Sequence, residues 1–205
     1  MRRIDVDSWK RKEHFQYFSS IDDPFWTVTT ELDCTETLTQ SRESGASFFL
    51  SYLHKTLKAI NEVEEFHLRL EGDQPVLHDV IHASATILRS DETFGCSFME
   101  FLPDFAEFSK NAGIEMENVR ERRGMCLEND YRLDLVHVSS IPWFSFTGLI
   151  NPRSLKDQDG VPKLTFGKYK QQGTRYLMPL SVQVHHALID GIHMAKMLER
   201  LQEYL

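Results

Sequence analysis

No stretch of this 205-residue chain approaches 18 consecutive apolar residues, so a membrane-spanning helix is not expected. The opening, MRRIDVDSWKRKEHF, carries too much charge for a secretory signal. Cysteine is sparse. Cys34, Cys96 and Cys126 are odd in number, scattered and without C-x-x-C spacing, which argues against a disulfide framework and a cysteine zinc site. A basic excess is also missing: 23 Lys and Arg stand against 31 Asp and Glu, a net charge of −8, the wrong sign for nucleic acid or an anionic membrane. Neither GxGxxG nor GxxxxGK[ST] occurs, so nucleotide hydrolysis and nicotinamide chemistry are not expected. G-x-S-x-G is absent too, and nothing marks a nucleophile elbow. Seven Pro and ten Gly are spread out, with no low-complexity linker and no repeat at solenoid periods. The expectation is one cytoplasmic domain over residues 1–205.

What the chain does hold is apolar and aromatic material. Hydrophobic residues make up 41%, and 14 Phe, six Tyr and three Trp argue for a packed core. Residues 8–19 read as a first helix with Asp7 or Ser8 as its cap. Trp26, Val28, Thr30 and Leu32 alternate as in a half-buried strand. Phe49, Leu53, Leu57 and Ile60 recur at helical spacing behind a capping Ser47. Residues 67–71 and 76–88 read as strands joined at Gly72-Asp73. Phe98, Leu102, Phe105 and Phe108 have helical period around Pro103, where a helix begins or kinks, and a short charged helix is expected over 115–123. Leu133, Leu135 and His137 alternate ahead of Ser139-Ser140-Ile141-Pro142-Trp143. Residues 164–171 and 175–186 flank a hairpin turn at Gln172-Gly173-Thr174. Asp190 can cap a last helix with the stripe Met194, Leu198, Leu201 and Leu205. This irregular mixture implies an α/β fold, a two-layer sandwich of helices on a mixed, largely antiparallel sheet. The gaps between strands are too uneven for a doubly wound sheet.

The chemistry concentrates in His185-His186-Ala187-Leu188-Ile189-Asp190-Gly191, where a long strand runs into two histidines, an acid and a glycine before a helix. Strand ends are where rigid scaffolds present reactive groups, and a positioned imidazole can take a proton from a hydroxyl or thiol near neutral pH. Two other readings stay open at this level. The pair can be buried and hydrogen-bonded with Asp190 only a cap, or His186, Asp190 and His193 can share a helix face and bind a metal. Gly191 counts against the latter, because it suggests a break in the chain.

Residues 182–193, VQVHHALIDGIH, resemble the HHxxxDG signature of the chloramphenicol acetyltransferases, a motif shared with condensation domains and dihydrolipoamide acyltransferases. Three more stretches narrow the resemblance. Residues 9–15, WKRKEHF, are similar to the family's W-x-R-[KR]-E-H-F. Residues 139–143, SSIPW, are similar to S-A-x-P-W. Residues 165–169, TFGKY, with Gln172-Gly173 and Met178-Pro179-Leu180, are similar to T-[MA]-[GA]-K-Y…G…MPL. The order is the family's over nearly the whole chain, as in its trimeric, CoA-dependent members.

The resemblance implies acetyl-CoA as co-substrate, no metal, and chloramphenicol or a similar small molecule as acceptor. His186 would be the general base, deprotonating the acceptor hydroxyl for direct attack on the thioester in a ternary complex. Ser139 would stabilise the oxyanion, and Thr165 would reach it through a water. Asp190 and Arg11 would form a structural ion pair. Tyr169, Trp143 and Lys168 would lie near CoA, and Tyr17, Phe18 and Phe94 near the acceptor. A homotrimer is implied, with the base supplied by one subunit and the acceptor pocket by its neighbour. The chain departs from the pattern at Asp22-Asp23-Pro24, at Ile81 to Thr86 and at Ser47-Phe48-Phe49-Leu50, all near the implied acceptor site. A related acyltransferase with another hydroxyl or amine acceptor is therefore the alternative.

Overall fold

The computed structural model describes residues 1–125, 132–154 and 159–205; Cys126 lies outside the described residues. In chain order the elements are β1 (Arg2–Arg3), α1 (Lys12–Ser19), β2 (Phe25–Asp33), α2 (Thr35–Ser44), α3 (Phe48–Asn61), β3 (Leu68–Glu71), β4 (Gln74–Leu77), β5 (His82–Leu88), β6 (Phe94–Cys96), α4 (Phe105–Glu121), β7 (Leu135–Ile141), β8 (Lys163–Gly167), β9 (Lys170–Gln172), β10 (Arg175–His185) and α5 (Gly191–Tyr204). The main sheet runs β2-β10-β8-β7-β5-β6, with β9 added to β10; β1, β4 and β3 form a small second sheet. The sheet is mixed. β5, β7 and β8 are parallel at its centre, and antiparallel pairs flank them.

Strand alternation gives that sheet two different faces. In register across β7, β8, β10 and β2, Val138, Leu164, Val182 and Val28 share one face, and Ser140, Phe166, Leu180 and Thr30 follow one step on. On the opposite face Ser139, Thr165, Ser181 and Thr29 stand in a row, and His137, Lys163, Gln183 and Thr27 form the next. The helices cover the apolar face. Tyr52 of α3 lies 4.7 Å from the Phe166 ring and donates its hydroxyl to Ser140 Oγ at 3.1 Å. Leu164, Phe166, Leu180 and Val182 are almost fully enclosed, and each such burial contributes about 1.5–3 kcal/mol. Met194, Met197 and Leu201 of α5 are buried in the same core.

Several elements differ from the sequence expectation. Helix α1 starts at Lys12, because Ser8 turns back to Asp5 (2.8 Å) and Asp7 is paired with Lys12. The single strand expected over 76–88 is two strands in different sheets. Asn61 splits it by accepting from Ile81 N (2.8 Å) and donating to Ile81 O (2.9 Å). The two helices expected after residue 98 are one, α4, capped by Asp104, whose Oδ1 accepts from Glu107 N. The strand expected over 164–171 breaks at Lys168-Tyr169, between β8 and β9. Helix α2 was not anticipated; Gly45, at φ 72°, ends it in a conformation that favours glycine.

Candidate active site

The residues singled out by the sequence fall into two clusters. The first is at the end of β10. His186 follows the strand directly, and its backbone N–H donates to Pro24 O at 2.8 Å. Its ring stacks on Phe18 at 3.8 Å with planes 5° apart, and Trp26 tilts against it at 5.4 Å. Nδ1 lies 3.3 Å from Asp190 Oδ1 without forming a hydrogen bond.

Asp190 is held by Arg11. Nη2 reaches Oδ1 at 3.0 Å and Nη1 pairs with Oδ2, while Nη2 also faces the carbonyls of His186 and Ala187 at 3.4 Å. One guanidinium thus fixes both the acid and the backbone that carries the imidazole. Burial alone would raise the Asp190 carboxyl. The Arg11 hydrogen bond and charge, helped by His193 and His186, outweigh it and hold the carboxyl below its ordinary range. His185 is fully enclosed. Its Nδ1 accepts from Ala187 N at 3.2 Å, and burial, with Arg153 and His186 adding, lowers its pKa to about 4. It is a neutral structural histidine.

Helix α5 begins after Asp190, so His186, Asp190 and His193 share no helix face. His193 instead accepts from Asp190 N at 3.0 Å and sits 3.2 Å from Glu65. Among the described residues no three His, Cys, Asp or Glu side chains are grouped to hold a metal ion.

The second cluster is a cavity of about 630 Å³ beside the polar sheet face. Ser139, Thr165 and Thr86 line it, with an apolar wall that includes Phe49, Leu88, Phe94, Met116, Leu149 and Trp143. Thr86 Oγ1 lies 3.4 Å from Ser139 Oγ, extending the hydroxyl row onto β5. Thr165 donates to Asn151 Oδ1 at 2.9 Å. Trp143 and Phe94 are exposed at the edge. Thr86 and Phe49 fall in stretches the sequence places near the acceptor site without singling them out, and Asn151 is a site residue the sequence reading does not anticipate. Strand alternation in register with Ser139 would have pointed to Thr86, whereas nothing local marks Asn151.

The cavity therefore gathers Ser139, Thr165, Phe94 and Trp143 of the anticipated residues. Lys168 and Tyr169, on the β8–β9 turn, are not part of its lining: Lys168 N donates to Phe144 O at 2.9 Å, and the Tyr169 hydroxyl accepts from Arg42 at 3.3 Å. Tyr17 and Phe18 do not reach the cavity. Phe18 packs on His186, and Tyr17 stands edge-on to Phe18, largely exposed.

Within one chain the two clusters stay apart. Thr165 is opposite Ser181, five residues before His186, which places the His186 backbone about 16 Å further along the strand direction. His186 is also absent from the cavity lining.

A family model described as chloramphenicol acetyltransferase matches residues 1–202. A chloramphenicol acetyltransferase from Klebsiella sp. is 32% identical over 206 residues, covering 98% of this chain and 92% of the relative. One from Streptomyces acrimycini is also 32% identical, with 98% and 93% covered. A solved chloramphenicol acetyltransferase superposes with a TM-score of 0.93 at 29% identity, covering both chains completely. A probable dihydrolipoamide acetyltransferase from Listeria monocytogenes shares the fold alone, with a TM-score of 0.67 at 14% identity over 94% of this chain and 88% of that one. From its motif order, its fold and these relatives, the chain belongs to the chloramphenicol acetyltransferase family and is an acyltransferase.

Proposed function

We propose that this chain transfers acetyl from acetyl-CoA to a hydroxyl of chloramphenicol, directly and within a ternary complex, and that residues 1–205 act as one catalytic domain. The observation that carries the reading is that the same chain holds a fixed imidazole at one strand end and a separate cavity lined by Ser139 and Thr165. His186 takes the proton from the acceptor hydroxyl as that oxygen attacks the thioester carbonyl. Ser139 Oγ donates to the carbonyl oxygen as it gains negative charge, and Thr165 supports it through a water. Collapse of the intermediate releases the CoA thiol, which recovers the proton held by His186. Arg11 and Asp190 keep the imidazole in place and touch no reacting atom.

The separation of the two clusters within one chain supports a site shared between copies; as the family resemblance implies, the working unit is a homotrimer in which His186 of one subunit faces the cavity of the next. The apolar and aromatic wall of the cavity, with hydroxyls on one side, suits an aromatic alcohol such as chloramphenicol. Tyr169, Trp143 and Lys168 form the CoA side, and the setting is the cytoplasm. Tyr17, Phe18 and Phe94 form the acceptor side, divided between subunits.

A thiol-release assay with acetyl-CoA, with and without chloramphenicol, tests this directly. Chloramphenicol-dependent release is expected, and His186→Ala should abolish it without altering assembly. Undiminished turnover in that variant would end the assignment of the base. If other alcohols or amines are acetylated and chloramphenicol is not, the acceptor assignment fails while the acyltransferase chemistry stands.

A further inference from the structure

The hydroxyl row poses a question of proton direction. Thr165 has one hydroxyl proton, and the Asn151 amide is within reach, Oγ1 and Oδ1 being 2.9 Å apart. With that end of the amide facing Thr165, the threonine's only proton is committed to Asn151. Asn151 Nδ2 is then enclosed with no partner among the described residues. A buried amide N–H without an acceptor is rarer and more costly than an under-used carbonyl. The two ends of a side-chain amide have nearly the same shape, so hydrogen bonding decides which end faces which way. Exchanging them puts an N–H on Thr165 Oγ1 at the same separation and leaves the carbonyl in the enclosed position. Thr165 then accepts from Asn151, and its own proton can turn into the cavity that it lines beside Ser139.

We infer that Asn151 is a positioning residue, donating its amide N–H to Thr165 so that the threonine hydroxyl is a donor toward the reaction centre. The inference deepens the acetyl-transfer reading of this site and rests on it. The loop carrying Asn151, between β7 and β8, is pinned two residues away, where Ser181 Oγ donates to Leu149 O at 2.7 Å. This contact fixes where the amide stands over β8.

Asn151→Asp keeps the size of the side chain, removes both N–H donors, and forces Thr165 to donate to a carboxylate. Asn151→Ala removes everything, so that the Thr165 hydroxyl can rotate freely. The thiol-release assay compares these two, Thr165→Val, and the Asn151→Asp/Thr165→Val double variant. Asn151→Asp should lower kcat about 10-fold or more with KM changed less than about twofold, and Asn151→Ala should lower it less. The double variant should be no slower than Thr165→Val, because Asn151 acts only through Thr165. A merely structural role predicts the reverse order, the larger deletion being the more damaging. Full kcat in Asn151→Asp alongside an impaired Thr165→Val overturns the inference and leaves the acetyl-transfer reading intact. Additive losses in the double variant overturn it too. A wild-type chain that releases no thiol removes that reading and this inference together.

Discussion

Co-expression of two inactive variants gives the sharpest test of how this site is assembled. His186→Ala removes the proposed base, a role worth roughly 10²–10⁴-fold in rate. Ser139→Ala removes the proposed oxyanion donor, a role worth roughly 10²–10³-fold. Each variant alone should therefore retain about 1% of wild-type kcat or less. Within one chain the Ser139–Thr165 pair stands about 16 Å from His186 along the strand direction, several times the reach of a proton transfer. If each site takes its imidazole from one subunit and its hydroxyl from the next, a trimer of mixed chains rebuilds intact sites. With random assembly of equal amounts, a site is intact when its base comes from the Ser139→Ala chain and its hydroxyl from the His186→Ala chain, which is about one case in four. Thiol release by the co-expressed mixture should rise to about a quarter of the wild-type rate, at least tenfold above either parent. A mixture no faster than the average of its parents, in particles shown by sedimentation to hold both chains, would refute the reasoning. It would mean that the two groups meet within a single chain after a rearrangement, or that they do not meet.

Three further outcomes are expected. Replacing Arg11 by Met leaves the part-buried Asp190 carboxylate without its cation, and should lower stability by about 1–3 kcal/mol in denaturant titration. Phe18→Ala removes the ring stacked on His186 and should lower kcat about tenfold without changing assembly; unchanged kcat would show that the stack does not orient the base. His185 has its pKa lowered to about 4 by burial, by Arg153 and by His186, against about 6.5 when unfolded. The unfolded chain binds the extra proton first, so stability present at neutral pH is lost as pH falls from about 6.5 toward 4, by up to about 3 kcal/mol. His185→Gln should flatten that part of the profile in urea titrations at pH 7 and pH 5, and an equal slope in both proteins would assign the acid sensitivity elsewhere.

Much of the architecture is legible in the sequence because local pattern and tertiary role coincide. Ser47 precedes a helical stripe and does cap α3, its hydroxyl accepting from Leu50 N. The alternation before His185 is a strand, and Asp190 does stand at the start of a helix. Where the pattern misleads, a distant partner decides. Helix α2, TETLTQSRES, offers almost no apolar stripe, yet Thr37 N donates to Leu205 O at the far end of the chain and holds it in place. Arg69 reads as an ordinary strand residue. It is fully buried, its guanidinium donating to the carbonyls of Phe66, Leu68, Leu133 and Leu135, and so ties β3 to the start of β7.

The site divides along the same line. Ser139, Thr165 and His186 stand out one by one, because each lies in a stretch that resembles the family. That Thr86, Ser139, Thr165 and Ser181 form one row depends on the register of four strands drawn from across the chain, which no local window contains. The same register explains why the imidazole is elsewhere. Side chains alternate along β10, so Ser181, Gln183 and His185 share the polar face while Val182 and Val184 fill the core, and His186 follows only after the strand has run past the hydroxyl row. A strand paired on both sides, as β10 is, cannot fold back to close such a gap without breaking its ladders. The simplest arrangement that joins base and hydroxyls leaves each chain as it is and brings a second copy's strand end to the cavity, so that specificity on one side and proton transfer on the other can vary independently.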